Sequence, residues 1–337
     1  MQAALFEESG DPESVLKVSE LPLPKPGPGQ VRVRMLASPI NPSDLMFIRG
    51  VYGRTPRFPA IPGFEGVGVV EESGGGLLGR MIVGKRVCTL TADGGAWAES
   101  AIVDAKKAIP IPASLTDEQG ATFFVNPATA LIMTRKVLAV PGGEWLLQTA
   151  AGSALGRMVI RLGQHFGFRT INVVRRAEQA DELKQLGADV VLTFDPQRDP
   201  VEDFVARVRE RTDGGVKYAI DPVGGATGSA VVDALGDGGQ LLLYGPLSFE
   251  PLTFSPRALM GHLAGIRGFW LGPWMEQQSL PAKLRIVSEI KKLIGRGVLT
   301  TDVGDAFPLE SVQQAVTCAQ QPARTGKVLL RPAAGSQ

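Results

Sequence analysis

The stretch Gln148-Thr149-Ala150-Ala151-Gly152-Ser153-Ala154-Leu155-Gly156 has the residue types to hold a dinucleotide. It follows the short apolar run Glu144-Trp145-Leu146-Leu147. It leads into Leu155, Val159, Leu162 and Phe166, whose spacings of four, three and four draw the stripe of a packed helix. Small residues at a strand-to-helix turn let the backbone approach a pyrophosphate, which then rests on the free N–H groups of the helix N-terminus. The pattern is Ala150-x-x-Ser153-x-x-Gly156 in place of G-x-G-x-x-G, so a tight turn without a ligand is the competing reading. Nineteen residues after Gly156, the run Thr170-Ile171-Asn172-Val173-Val174 ends in Arg175-Arg176. A free ribose 2′-OH would ask for a carboxylate at about that distance, whereas two guanidiniums suit a 2′-phosphate. The expectation is NADP(H), with two solvated arginines as the alternative.

Positioning these groups requires a parallel sheet, and the middle of the chain alternates accordingly. Strand-like runs at 170–175, 190–194, 216–221 and 239–245 are separated by helical patterns at 178–186, 201–212 and 226–235. Such βαβ alternation predicts a doubly wound parallel sheet, with its last strand from Ala264 to Trp270 and a helix from Pro281 to Gly295. From Met1 to about Gly120 the period is two instead. Gln30 to Ala37 alternates Val31, Val33 and Met35 with Arg32 and Arg34, and further runs span Gly66 to Glu72, Arg86 to Leu90 and Ala96 to Val103. Short strands with Gly-rich turns predict a barrel-like β domain. Thr116-Asp117-Glu118-Gln119 is a capping box that marks the switch to helix, and Asn126-Pro127 reads as N-cap and first helical residue. The tail, with a strand at Lys327 to Leu330, resumes the N-terminal style. The expected domains are therefore 1–121 with 271–337, and 122–270.

The 337 residues exceed the ~250–300 at which one core divides. Thirty-five Lys and Arg against 34 Asp and Glu, with no basic block, argue against nucleic acid as partner. Cys88 and Cys318 make no disulfide framework, which fits a reducing compartment. With no signal-like N-terminus and no apolar run of spanning length, the expectation is a cytoplasmic chain with no membrane partner.

Several motifs together make the chain resemble the zinc-independent medium-chain dehydrogenase/reductase superfamily, and within it the mitochondrial-type trans-2-enoyl-thioester reductases. They are Asn41-Pro42-Ser43-Asp44, Arg49-Gly50-Val51-Tyr52-Gly53, Pro62-Gly63-Phe64-Glu65-Gly66, Val125-Asn126-Pro127, the turn at 150–156, and Gly268-Phe269-Trp270-Leu271. The resemblance implies an α/β chain with a GroES-like β-barrel domain formed by both chain ends and a Rossmann domain between. It implies NADPH-dependent reduction of an enoyl thioester, bound to coenzyme A or to acyl carrier protein, with a homodimer as the common assembly. The zinc-dependent relatives use Cys and His ligands where this chain has Asn41 to Asp44 and Phe64-Glu65, so no metal is expected.

Residue roles follow from the same resemblance. Tyr52 matches the proton donor that accompanies hydride delivery to Cβ. Asn126 and Trp270 match groups at the reacting centre, and Asn126 also a cofactor contact. Gly152, Ser153, Ala154, Leu155 and Gly156 would cradle the pyrophosphate, and Arg175 and Arg176 the 2′-phosphate. Tyr244, Gly245, Pro246 and Leu247 would lie by the nicotinamide half, with Phe269, Trp270 and Leu271 closing over it and Lys327 as a further contact. Arg49, Arg54 and Arg57 flank Tyr52 and could meet an anionic carrier. Phe64, Phe123, Phe124 and Trp274 are candidates for apolar walls. An NADPH:quinone reductase is the runner-up, and a non-catalytic NADPH-binding protein of regulatory or structural role is the alternative from another class.

Overall fold

The runs of period two become strands whose inward side chains form the core of the first of two units. In the computed structural model, which describes residues 1–322 and 326–332, this unit comprises Met1–Val125 and the chain from Thr301 onward. Its early strands are β1 (Gln2–Leu5), β2 (Lys17–Glu20), β3 (Gln30–Pro39), β4 (Glu65–Ser73), β5 (Arg86–Leu90), β6 (Ser100–Asp104) and β7 (Ala108–Pro110). On β3 the pattern is realised directly, with Val31, Val33 and Met35 buried and the intervening arginines half-exposed.

The second unit, Asn126–Thr300, holds β8 (Trp145–Gln148), β9 (Arg169–Val174), β10 (Val190–Thr193), β11 (Val216–Asp221), β12 (Leu235–Leu243) and β13 (Gly265–Gly268). They form one sheet in the order β10-β9-β8-β11-β12-β13, all neighbours parallel. The order reverses between β8 and β11, the switch point outside which nucleotides bind. The last strands, β14 (Val303–Pro308) and β15 (Lys327–Arg331), return to the first unit, where β15 pairs antiparallel with β3. That sheet runs β14-β15-β3-β4-β5-β7, with β6 also on β3.

Three expectations need correction. The second unit extends to Thr300 rather than ending at 270. The helix Leu280–Gly295 buries Ile286, Ile290, Leu293 and Ile294, and Glu289 pairs with Lys136 of the same unit at 3.2 Å. Arg161 then donates to the Thr300 carbonyl at 2.9 Å, fastening the end of that segment. The strand expected from Ala96 starts only at Ser100, because the backbone of Trp97 and Glu99 bonds to β1 instead. Asn126 is not an N-cap: the helix runs Val125–Ile132 and places it inside the first turn. The cap comes from elsewhere, since Glu65 Oε2 accepts the Val125 N–H at 2.9 Å. A distant carboxylate has taken the role a local side chain would fill.

No helix among the described residues is long and apolar enough to cross a membrane.

Candidate active site

In the second unit the proposed nucleotide turn joins β8 to the helix Ala154–Phe166. Ala150 takes a left-handed φ of 47°, the conformation for which the usual fingerprint supplies glycine. A Cβ on Gly156 would stand 2.5 Å from the Ala151 carbonyl oxygen, so only glycine lets the helix pack this closely on the turn. Ser153 caps the helix by accepting the Gly156 N–H at 3.1 Å. The two preceding N–H groups, of Ala154 and Leu155, are left for an anion. At the end of β9, Arg175 is exposed and Arg176 half-buried, and neither has an acidic partner among the described residues. Unengaged N–H groups beside unengaged guanidiniums fit a pyrophosphate with a 2′-phosphate.

Buried polar groups brace the turn from beneath. Gln148 Nε2 donates to Gly156 O at 2.9 Å and to Asn172 Oδ1 at 2.7 Å, and Asn172 Nδ2 in turn donates to Thr170 Oγ1 and Val190 O. Asp221 accepts the Thr149 hydroxyl and the N–H groups of Val223 and Gly224. Burial raises its carboxyl above the ordinary range against those three bonds. Backbone bonds then bring 244–247 and 269 to the same sheet edge: Tyr244 N donates to Asp221 O, Leu247 N to Pro222 O, and Phe269 N to Leu243 O. Burial also pushes the Tyr244 phenol up. Gly245, Pro246 and Leu247 are exposed, and Leu271 is half-buried. Phe269 is buried, whereas Trp270 is 40% exposed and so is not core.

In the first unit, Tyr52 lies on the loop after the helix Pro42–Ile48, half-buried, its ring centroid 5.1 Å from that of Phe64. Phe64 also meets Phe47 edge-on at 5.2 Å. The Phe64 backbone is fixed by Asp44, whose Oδ1 accepts its N–H at 3.0 Å while Oδ2 accepts the Asn41 N–H at 2.7 Å. Asn41 then links two more charges: Nδ2 donates to Glu65 Oε1 at 3.0 Å and Oδ1 accepts from Lys327 Nζ at 2.6 Å. Burial pushes Asp44 up to about 7 and also raises Glu65, outweighing the N–H groups and the Lys327 charge that favour ionisation.

Asp44 and Glu65 were legible only as motif letters. The available signals were Asn-x-x-Asp as a capping pattern and a lone Glu within the apolar run that opens β4. Lys327, expected at the cofactor, is 4% exposed and directed at Asn41 and Ile40 O. Of the flanking arginines, Arg49 bonds Gln320 and Arg54 bonds Ala92 O. Arg57 lines a cavity of about 270 Å³ with Phe47, Thr55, Pro59 and Ile61. Phe123 and Phe124 are buried in the core, so they wall no open pocket. His262 stands 2.7 Å from Asp237.

The donor set does not fit a catalytic zinc. Among the described residues no group of three or more His, Cys, Asp or Glu could hold a metal, and both Asp44 oxygens are occupied by backbone N–H groups.

Comparison with known proteins places these features in context. Residues 27–113 match the family described as Alcohol dehydrogenase GroES-like domain, and residues 154–298 that described as Zinc-binding dehydrogenase. The chain is 32% identical over 335 residues to the mitochondrial enoyl-[acyl-carrier-protein] reductase of Homo sapiens, covering 98% of this chain and 88% of the relative. A solved complex of Etr1p with NADP and crotonyl-CoA superimposes with a TM-score of 0.82 at 27% identity, covering 98% of this chain and 99% of that one. The Escherichia coli quinone oxidoreductase complexed with NADPH superimposes at 0.88 with 25% identity, covering 98% and 100%.

Proposed function

Because this chain belongs to the medium-chain dehydrogenase/reductase superfamily, we propose that it is an NADPH-dependent reductase of trans-2-enoyl thioesters. The observation that carries the reading is Tyr52, a phenol held against Phe64 in a chain alike from end to end to an enoyl thioester reductase. NADPH, when bound, supplies the hydride that adds to the substrate Cβ. Arg175 and Arg176 would bind its 2′-phosphate, and the N–H groups of Ala154 and Leu155 its pyrophosphate.

The protein's remaining task is the proton. Negative charge gathers on the thioester oxygen as Cβ accepts the hydride, and Cα must then be protonated. A phenol carries a transferable proton, so Tyr52 Oη can hydrogen-bond the oxygen or deliver the proton. Phe64 limits the rotation of that ring, and Asp44 holds Phe64. Asn126, released from capping by Glu65, keeps its side-chain amide for the carbonyl or the cofactor.

NADPH oxidation with crotonyl-CoA and with a simple quinone, for wild type and Tyr52→Phe, tests this. The expected result is a loss of about 10²-fold or more in kcat on the thioester with quinone turnover spared. Quinone turnover without thioester turnover in the wild type would sink the reading. It would promote an NADPH:quinone reductase, which the closer superposition on the E. coli enzyme favours.

A further inference from the structure

One end of the first unit's sheet carries a surface unrelated to the site above. The register pairs Val31 with Ser73 and Gln30 with Asp104, so the turns after β4 and β6 emerge together at the start of β3. They are tied down there by Gly74 N to Gln30 O and Ala105 N to Gly29 O, both 3.0 Å. The cluster of Asn41, Asp44 and Glu65 sits at the opposite ends of β3 and β4. At ~3.3 Å per residue along β3, the two regions are roughly 30 Å apart.

The turn after β4 contains the short helix Leu77–Met81, set between Gly76 at φ 85° and Gly84 at φ 75°. One apolar residue, Ile82, is 3% exposed and packs with Val31, Val70 and Val87. Four others project outward: Leu77 is 79% exposed, Met81 60%, Val83 45% and Leu78 44%. Exposed Arg80 and Lys85 lie within the same turn, and exposed Lys106 and Lys107 on the adjoining turn after β6. None of the four cations has an acidic partner among the described residues. The acids that adjoin these turns in sequence are engaged: Glu71 and Glu72 with Arg34 and Arg32, and Asp104 with the Lys106 N–H.

We infer that this end of the unit docks on an anionic lipid surface. A bilayer needs no shape match: single apolar side chains pass below the headgroups while cations stay at phosphate level. A specific protein partner would ask for about 800 Å² of complementary face, and these side chains project singly from a glycine-bounded turn. Attachment of this kind is peripheral, and it revises the expectation of no membrane partner. It stands independently of the proposed reaction.

The test is flotation of the full chain with vesicles of phosphatidylcholine alone and with added phosphatidylglycerol. Wild type is expected to float with the anionic vesicles, to remain below with the neutral ones, and to be released by salt. Each cation near such a surface strengthens binding about fivefold, so Lys106→Glu/Lys107→Glu should weaken it about 25-fold or more. Leu77→Ser/Met81→Ser should weaken it about tenfold or more. Both pairs should keep wild-type turnover of water-soluble crotonyl-CoA or quinone. The lysine pair leaves the packing untouched, so a folding defect in the apolar pair would not spoil the test. The inference is overturned if wild type does not float with anionic vesicles, or if both variants float as wild type does. It is also overturned if the apolar pair changes the sedimenting mass without vesicles, which would assign the patch to a second copy of this chain.

Discussion

Asp44 combines complete burial with two accepted backbone N–H groups, and these act on its proton in opposite directions. Burial dominates and carries its pKa up to about 7 from 3.8. Between those values the folded protein keeps a proton that the unfolded chain has released. The associated stability is therefore complete below about pH 4 and lost as pH rises through about 7. At about 1.4 kcal/mol per unit, that loss is on the order of 4 kcal/mol, and Glu65, also raised, acts in the same direction. Urea unfolding at about pH 5 and about pH 8 should show the fall, and Asp44→Asn should flatten it. At the lower pH the variant should be about 1–3 kcal/mol less stable, because one N–H loses its acceptor. A slope unchanged by Asp44→Asn would mean that the carboxylate is ionised throughout.

At the scale of the element, the strand, tight turn and helix from Trp145 to Phe166 were legible because their signals are local: an apolar strand, small residues, then a helical stripe. The strain in the turn was not. Nothing in the letters of Ala150 says that it occupies a left-handed conformation, which costs an L-residue about 1–2 kcal/mol, partly offset by glycine's larger unfolded-state entropy. Ala150→Gly is therefore expected to stabilise the protein by about 0.5–1 kcal/mol without weakening NADPH binding, as denaturation and cofactor titration would show. A destabilised variant would indicate that the Ala150 methyl contributes packing worth more than the strain. The capping box Thr116 to Gln119 forms as read, with reciprocal bonds of 3.3 and 3.1 Å, because both partners lie within one turn. The start of the next helix was misread because its cap, Glu65, is sixty residues away in sequence. Tertiary carboxylates leave no trace at the position they cap.

At the scale of the molecule, the alternation of strand and helix was enough to foresee a parallel sheet flanked by chain ends that build one β unit. The return point at Thr301 was not foreseeable, since the helix Leu280–Gly295 looks the same from whichever unit it packs on. The nucleotide site proposed within residues 126–300 has a thermodynamic consequence. A ligand that binds only the folded protein stabilises it by about 2.7 kcal/mol at a hundredfold excess over Kd, and the amides it orders exchange more slowly. Hydrogen exchange with NADPH should therefore protect 148–157, 172–176 and 221–224, with NADH doing so only at much higher concentration. Charge-assisted bonds to a phosphate contribute about 1.5–3 kcal/mol each, so Arg175→Ala/Arg176→Ala should weaken NADPH by roughly 10²-fold or more and leave NADH nearly unchanged. The variant would then treat the two cofactors alike. Equal protection by both in the wild type would mean that the 2′-phosphate is not read by this pair, and the preference would have to come from elsewhere along the sheet edge.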